Sequence, residues 1–116
     1  MKLPNIELAE VPRQKIESYL LSLTHRDGRH KATFFLGFGF RVDSWEELAT
    51  AILNHARSHD VVKEEPSPFG LRYVIEGALE SPDNRHPRVR SVWFIETGQT
   101  VPRFVTAYPL KGEQDD

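Results

Sequence analysis

The sequence predicts an α+β domain, in which N-terminal helices pack on one face of a four-stranded, mainly antiparallel sheet. Helix-like periodicity is confined to residues 11–58, and strand-like alternation of β-branched and aromatic residues follows in residues 61–110. Short connections between strands favour antiparallel neighbours, and helices followed by strands are typical of α+β domains.

The first helix is predicted over Val11–Ser22, because apolar side chains recur there at helical spacing: Ile16, Tyr19, Leu20 and Leu23. Thr24–His30 is predicted to be a polar connection. The aromatic segment that follows fits either a buried strand or a short helix, and we favour a helix over Lys31–Leu36, ended by Gly37.

The clearest helix is Ser44–Ser58, which opens with a capping-box pair, Ser44 and Glu47. Strands are predicted at Val61–Lys63, Leu71–Leu79, Arg88–Glu96 and Phe104–Leu110, and turn residues separate them, beginning with Pro66-Ser67-Pro68. The predicted core spans residues 3–110, and residues 111–116 form a polar tail that we expect to be frayed.

Composition limits the possible functions. A chain of 116 residues predicts a single domain, and the absence of cysteine excludes disulfides and thiol chemistry. A formal net charge of −2 means that any nucleic-acid contact would need a local basic patch. No apolar run is long enough to span a membrane and no signal peptide is visible, so we expect a cytoplasmic protein.

The densest cluster of cations and imidazoles is Thr24–Lys31, with two histidines, two arginines and a lysine around Gly28. Metal-independent RNA cleavage needs a base, an acid and cations that stabilise the phosphate. His25, Arg29 and Lys31 offer such groups, since histidine titrates near neutral pH and arginine grips phosphate with paired hydrogen bonds. A solvated basic loop between two helices explains the same residues, and spacing alone favours that interpretation.

A second candidate group lies on the last predicted strand. Thr106 and Tyr108 share one face there, alternating with Val105 and Ala107, so their hydroxyls can orient a phosphate or stack a base. An edge strand with its tyrosine packed against a helix is the simpler interpretation. The basic residues Arg103, Arg88 and Arg90 are candidates for an extended phosphate-binding surface, although a solvated hairpin loop also explains the last two.

His55 and His59 stand four residues apart on one helix face, a spacing that suits zinc, and Asp60 could add a ligand. The metalloprotease glutamate is missing, so helix-end histidines in solvent are the favoured interpretation. The Gly37-Phe38-Gly39 segment lacks the features of a phosphate loop or a dinucleotide fingerprint. We therefore expect no metal and no nucleotide cofactor.

A set of residues spread over most of the chain resembles a bacterial family of small domains of unknown function, which also occur at the C-termini of large secreted adhesin-like proteins. The set is Lys15, Tyr19-Leu20-Leu21, His25, Gly28-Arg29, Lys31-Ala32, Phe34-Phe35, Gly39-Phe40, Val92-Trp93 and Val105-Thr106-Ala107-Tyr108-Pro109. The predicted layout, together with the Thr-Ala-Tyr-Pro ending, is similar to the barnase, EndoU, colicin and RelE-like (BECR-like) group of ribonucleases.

The second resemblance implies a toxin-like, metal-independent endoribonuclease that acts on RNA and is held in check by a cognate antitoxin or immunity protein. It assigns catalytic roles to His25, Arg29, Lys31, Thr106 and Tyr108 and, more loosely, a substrate contact to Arg103. The acidic net charge departs from this group and supports an alternative, a non-catalytic protein-binding module such as an immunity protein or a degenerate toxin relative. A shared catalytic site requires the His25 and Thr106 segments to lie close together.

Overall fold

Four antiparallel strands form a sheet in the order β1–β2–β3–β4, each beside its neighbour in the chain. In the computed structural model, which describes residues 1–110, they are β1 (Val61–Ser67), β2 (Gly70–Ala78), β3 (Arg88–Glu96) and β4 (Arg103–Pro109). The predicted α+β class is confirmed, and the predicted bounds of β2, β3 and β4 agree within one residue. The predicted polar tail lies outside the described residues.

Strand β1 is longer than predicted. The sequence ended it at Lys63, because Pro66 and its neighbours indicated a turn, but Pro66 lies within the strand and pairs with Leu71. Proline lacks a backbone donor and is tolerated in an edge strand, whose outer side needs no partner. β1 is such an edge, since it pairs with β2 alone in the described sheet.

The helices are α1 (Arg13–Lys15), which continues as a π-helical segment (Ile16–Leu20), α2 (Arg29–Gly37) and α3 (Trp45–Ser58); 3₁₀ turns lie at Ile6–Leu8 and Val42–Ser44. The predicted α-helix over Val11–Ser22 is thus corrected to a shorter element that changes hydrogen-bond pattern. The Leu21 N–H donates to the Ile16 carbonyl over 2.8 Å, a step of five residues. No helix of residues 1–110 is long and apolar enough to cross a membrane.

Two helix starts differ from the prediction. Helix α2 begins at Arg29 rather than Lys31, because the His25 carbonyl accepts from the Arg29 N–H at 3.0 Å and organises the turn before it. Helix α3 has Ser44 at its N-cap position, but the Ser44 side chain makes no capping hydrogen bond. Ser44 closes a 3₁₀ turn instead, so the predicted capping box does not form.

The helices meet one face of the sheet. Across β2, β3 and β4 the residues Tyr73, Trp93 and Phe104 lie in register and are almost fully buried. The helices contribute Ile16, Leu20, Phe35, Leu48, Ile52 and Ala56 to the same core. Val74 and Val92, which pair with each other across β2 and β3, lie on the opposite face of the sheet.

The N-terminal lead-in, residues 1–12 before α1, lies against the β4 edge at Glu10. The Glu10 N–H donates to the Pro102 carbonyl at 3.0 Å, and the Phe104 N–H donates to the Glu10 carbonyl at 2.9 Å. Glu10 and Arg103 therefore form a parallel bridge, which extends the sheet beyond β4. This pairing brings the first helical turn next to β4.

Candidate functional site

A groove of about 670 Å³ lies between the first helical segments and β4. Its lining residues are Pro12, Gln14, Lys15, Ser18, Tyr19, His25, Asp27, Arg103, Val105 and Thr106. The volume falls within the range of small-molecule sites, roughly 300–1,000 Å³. The two segments that the sequence singled out, around His25 and Thr106, therefore border one cavity.

Tyr19 contacts both segments. Its hydroxyl lies 3.1 Å from Thr106 Oγ1, and its ring meets the His25 ring edge-on, with 5.0 Å between the ring centroids. Two ammonium groups also lie near the ring, with Lys15 Nζ 5.5 Å and Lys31 Nζ 5.4 Å from its centroid. These distances allow cation–π attraction, so Tyr19 gathers two cations, an imidazole and a hydroxyl.

The backbone fixes the tautomer of His25. His25 Nδ1 accepts hydrogen bonds from the N–H groups of Asp27, at 3.0 Å, and Gly28, at 3.1 Å. An imidazole nitrogen that accepts carries no proton, so the neutral ring holds its proton on Nε2. His25 thus orders the start of α2 through Nδ1 and leaves an Nε2–H donor for a ligand.

Gly28 lets this loop press against Tyr19. A Cβ at Gly28 would lie 2.4 Å from the Tyr19 carbonyl oxygen and 2.9 Å from Tyr19 Cδ1. Both distances are shorter than van der Waals contact, and one of them is to backbone that cannot swing away. A glycine three residues after His25 is therefore required to bring the imidazole against the tyrosine.

A β-bulge shapes the opposite wall of the groove. Phe104 pairs with Trp93 and Thr106 pairs with Val92, which leaves Val105 without a counterpart on β3. The bulge therefore interrupts the predicted alternation of Val105 with Thr106 at this position. Val105 and Thr106 both line the groove, since a bulge redirects side chains locally.

The family model described as Domain of unknown function (DUF6883) matches residues 2–111. The chain belongs to this family. Its fold is also similar to a chain in the contact-dependent growth inhibition toxin–immunity protein complex from Klebsiella pneumoniae 342, with a TM-score of 0.65 and 18% sequence identity over 86% of this chain and 98% of that chain. At that identity the likeness shows the fold. No curated protein matches the chain.

Other predicted residues of this DUF6883 chain lie at the margin of the groove. Arg103 lines it, is largely exposed and has its Nε 3.9 Å from a carboxylate oxygen of Glu10. Lys31 lies beside the Tyr19 ring in the first turn of α2. Arg29 and His30 lie in the same turn and are exposed. The charged and imidazole side chains of Thr24–Lys31 are thus divided: some lie at the groove and others face the solvent.

Tyr108 and Arg90 form a separate row with Glu76 on the sheet. The Arg90 guanidinium donates to the Glu76 carboxylate, with Nε 2.7 Å from Oε2, and lies 5.7 Å from the Tyr108 ring centroid. Its charge is therefore already paired. Arg88 borders a different pocket, which is also lined by Phe34 and Phe38. The structure thus does not bring Arg88 into the groove.

His55 is buried, which corrects the expectation of a helix-end histidine in solvent. It is 2% exposed, Nδ1 lies 3.0 Å from Ser91 Oγ, and Nε2 lies 3.2 Å from the carbonyls of Gly77 and Val89. Both ring nitrogens thus have protein partners, which leaves neither for the predicted zinc alternative. No group of three or more His, Cys, Asp or Glu side chains in residues 1–110 could hold a metal ion.

Burial lowers the pKa of His55 to about 4, with a smaller contribution from the neighbouring His59. The Ser91 hydroxyl also accepts from Trp93 Nε1 at 3.0 Å, so a polar chain crosses the core from β3 to α3. Sequence reasoning missed this chain, because its members are far apart and each resembles an ordinary surface or core residue.

Sequence reasoning also missed Tyr19 and Lys15 as groove residues. Tyr19 was placed in the apolar stripe of the first helix, and Lys15 appeared only within the family resemblance. The available signal was their four-residue spacing, which puts both side chains on one helix face beside the basic segment. The π-helical segment that contains Tyr19 is a second marker, since such segments are frequent at functional sites.

Proposed function

We propose that this DUF6883 domain is a toxin-like, metal-independent endoribonuclease that acts with a cognate antitoxin or immunity protein. The observation that carries the proposal is the shared groove, in which His25 and Thr106 both contact Tyr19. Distant segments with an imidazole, hydroxyls and cations converge on one cavity, as phosphoryl-transfer chemistry without a metal requires.

The geometry suggests how the groups divide the work. His25 Nε2–H is placed to donate a hydrogen bond to a phosphate oxygen, because Nδ1 is occupied by the backbone. Lys31 supplies positive charge beside the Tyr19 ring, exposed Arg29 adds charge from the same turn of α2, and Thr106 orients the substrate. Arg103 extends the cationic wall toward the lead-in, and Tyr108 with Arg90 and Arg88 forms outlying contacts for a longer RNA.

The fold supports the toxin-related part of this proposal. A sheet covered by helices on one face is the architecture expected of the BECR-like ribonucleases. The proposal includes that this domain is related to that group. The similar chain in the Klebsiella complex comes from a toxin–immunity pair. A cognate protein that covers the groove of the present domain would keep RNA out of it.

A non-catalytic binding module remains the second candidate, and charge pairing favours it. Arg90 is engaged by Glu76, Arg103 has Glu10 nearby, and the net charge of the chain is −2. Such a surface attracts RNA weakly, since nucleic-acid affinity depends on unpaired cations. An immunity protein or a degenerate toxin relative would have these features.

Induced expression and an RNA-cleavage assay with EDTA separate the two candidates. The informative variant is His25→Asn, because an asparagine oxygen can still accept from the Asp27 and Gly28 N–H groups while the imidazole is lost. We expect growth arrest and EDTA-resistant cleavage with the wild type, and loss of both with His25→Asn. The matched control, His30→Asn, changes an exposed histidine in the first turn of α2 and should retain both activities.

If the wild-type protein causes neither growth arrest nor RNA cleavage, that result contradicts the nuclease and supports the binding module. Equal cleavage by wild type and His25→Asn would remove the proposed site while leaving a nuclease. Thermal unfolding of each variant establishes that a lost activity is not a lost fold.

A further inference from the structure

Tyr19 lies where four groups suited to one anion meet. Lys15 Nζ is 5.5 Å from the ring centroid, the His25 ring is edge-on at 5.0 Å, and the phenol hydroxyl is 3.1 Å from Thr106 Oγ1. Lys15, Tyr19, His25 and Thr106 all line the groove and are all half-buried. Partial burial strengthens the attraction between a cation and an anion, because less water screens it.

We propose that these residues form a subsite for a single phosphodiester group of single-stranded RNA, with Tyr19 as the positioning residue. Lys15 supplies the charge, His25 Nε2–H and the Thr106 hydroxyl supply directional hydrogen bonds, and Tyr19 holds all three. This inference rests on the proposed function, which supplies RNA as the ligand, and it assigns Lys15 and Tyr19 roles that the nuclease proposal does not need.

The close packing around Tyr19 supports a positioning role. Gly28 approaches the Tyr19 backbone so closely that a Cβ would overlap it, and this approach keeps the His25 ring against the phenol. The phenol then bridges to β4 through Thr106. Tyr19 is thus the structural link between the loop and the strand that form the two walls of the subsite.

A variant at Asp27 should change RNA affinity in the direction opposite to a variant at Lys15. Its exposed carboxylate lines the same groove as Lys15, so it repels a bound phosphate. Removing the Lys15 charge should weaken binding, and removing the Asp27 charge should strengthen it. A general loss of folding cannot tighten binding, so the pair of variants separates a phosphate subsite from a structural effect.

The experiment measures the binding of a short single-stranded RNA carrying 2′-O-methyl groups, which cannot be cleaved through the 2′-hydroxyl. We expect Lys15→Gln to weaken binding roughly tenfold, as expected for the loss of a hydrogen bond to a charged group, and Asp27→Asn to tighten it. Lys15→Gln should also reduce the slope of log affinity against log salt by about 0.7. Lys63→Gln, on the opposite edge strand β1, is the matched control and should bind as the wild type does.

Variants at Tyr19 test its positioning role. Tyr19→Leu should weaken RNA binding about as much as Lys15→Gln does. Tyr19→Phe should keep the share of the affinity that depends on the ring, since it loses only the hydroxyl contact with Thr106. Inorganic phosphate is the second probe. Competition by millimolar phosphate, abolished in Lys15→Gln, would assign the site to the phosphate group rather than to the bases.

The outcomes for the subsite and for the nuclease are distinguishable. Binding with the expected pattern but no RNA cleavage would support the subsite and overturn the proposed nuclease. Cleavage by the wild type, together with equal RNA affinity in wild type, Lys15→Gln and Asp27→Asn, would overturn the subsite and leave the nuclease standing. Absence of RNA binding by the wild type would overturn the subsite as well.

Discussion

Acidification should destabilise this fold through a single buried side chain, His55. The imidazole is 2% exposed and burial lowers its pKa to about 4. In the unfolded chain the same ring titrates near its ordinary value of about 6.5. Because the unfolded state binds the proton more tightly, stability is fully present above about pH 6.5 and is lost as the pH falls through about 4.

The size of the effect follows from the two pKa values. A difference of about 2.5 units corresponds to about 3.4 kcal/mol when both states are fully titrated. Between about pH 7.5 and pH 5 the linkage relation gives a loss of about 2 kcal/mol, since the folded state is still largely neutral at the lower pH. That loss is a large share of the 5–15 kcal/mol that is typical of small domains, on the order of a fifth.

Urea unfolding monitored by tryptophan fluorescence at a series of pH values measures the effect. The informative comparison is wild type with His55→Gln, because the difference between their free energies of unfolding cancels the titration of the remaining groups. His55→Gln should be less stable at about pH 7.5, and its disadvantage should shrink by about 2 kcal/mol at about pH 5. His30→Gln changes an exposed histidine and is the matched control.

A difference between wild type and His55→Gln that stays constant within about 0.5 kcal/mol over this pH range would refute the reasoning. An NMR titration of the wild type gives a second reading that does not depend on the variant folding. The His55 ring carbon shifts should remain those of the neutral imidazole down to about pH 5, and titration of His55 near pH 6.5 would overturn the assignment of a buried neutral ring.

Three further predictions test the packing and the groove. Gly28→Ala should cost about 1–3 kcal/mol of unfolding free energy in chemical denaturation, through overlap with Tyr19, whereas Gly37→Ala, with open space around its Cβ, should be neutral or stabilise by about 0.4–1 kcal/mol. Phe35→Ala should cost about 3–5 kcal/mol in the same assay, because the ring is fully buried, and a loss below 1 kcal/mol would argue against the core. Thr106→Val should change the thermal midpoint little but reduce RNA cleavage, and unchanged cleavage would remove Thr106 from the site.

Much of the fold was predictable because strand-like alternation reports directly on burial. β3 was located without error, since Val89 and Trp93 fall on the same side of the two-residue strand period and the segment is rich in β-branched and aromatic residues. β1 was cut short because Pro66 is read locally as a turn, whereas its tolerance depends on the strand lying at the sheet edge. Edge position is a property of the whole sheet, so a local pattern cannot supply it.

The start of α3 shows a second limit of local patterns. Ser44 and Glu47 have the spacing of a capping box, yet the chain enters the helix through a 3₁₀ turn and the serine side chain does not cap. A capping box needs a particular backbone geometry as well as two residue types, and that geometry depends on how the preceding turn packs.

The sequence predicted the residues on the two walls of the candidate site, His25 and Thr106, but not Tyr19, which lies between them. His25 and Thr106 belong to segments with unusual composition, so the sequence draws attention to them. Tyr19 shares the helical spacing of Ile16 and Leu20, and a tyrosine at that spacing is read as core. In the structure the π-helical turn and the glycine at Gly28 bring its hydroxyl to β4 and its ring to His25. From the sequence alone, Tyr19 therefore resembles a core residue. Its role in joining the two walls of the groove depends on a backbone irregularity, which apolar periodicity does not report.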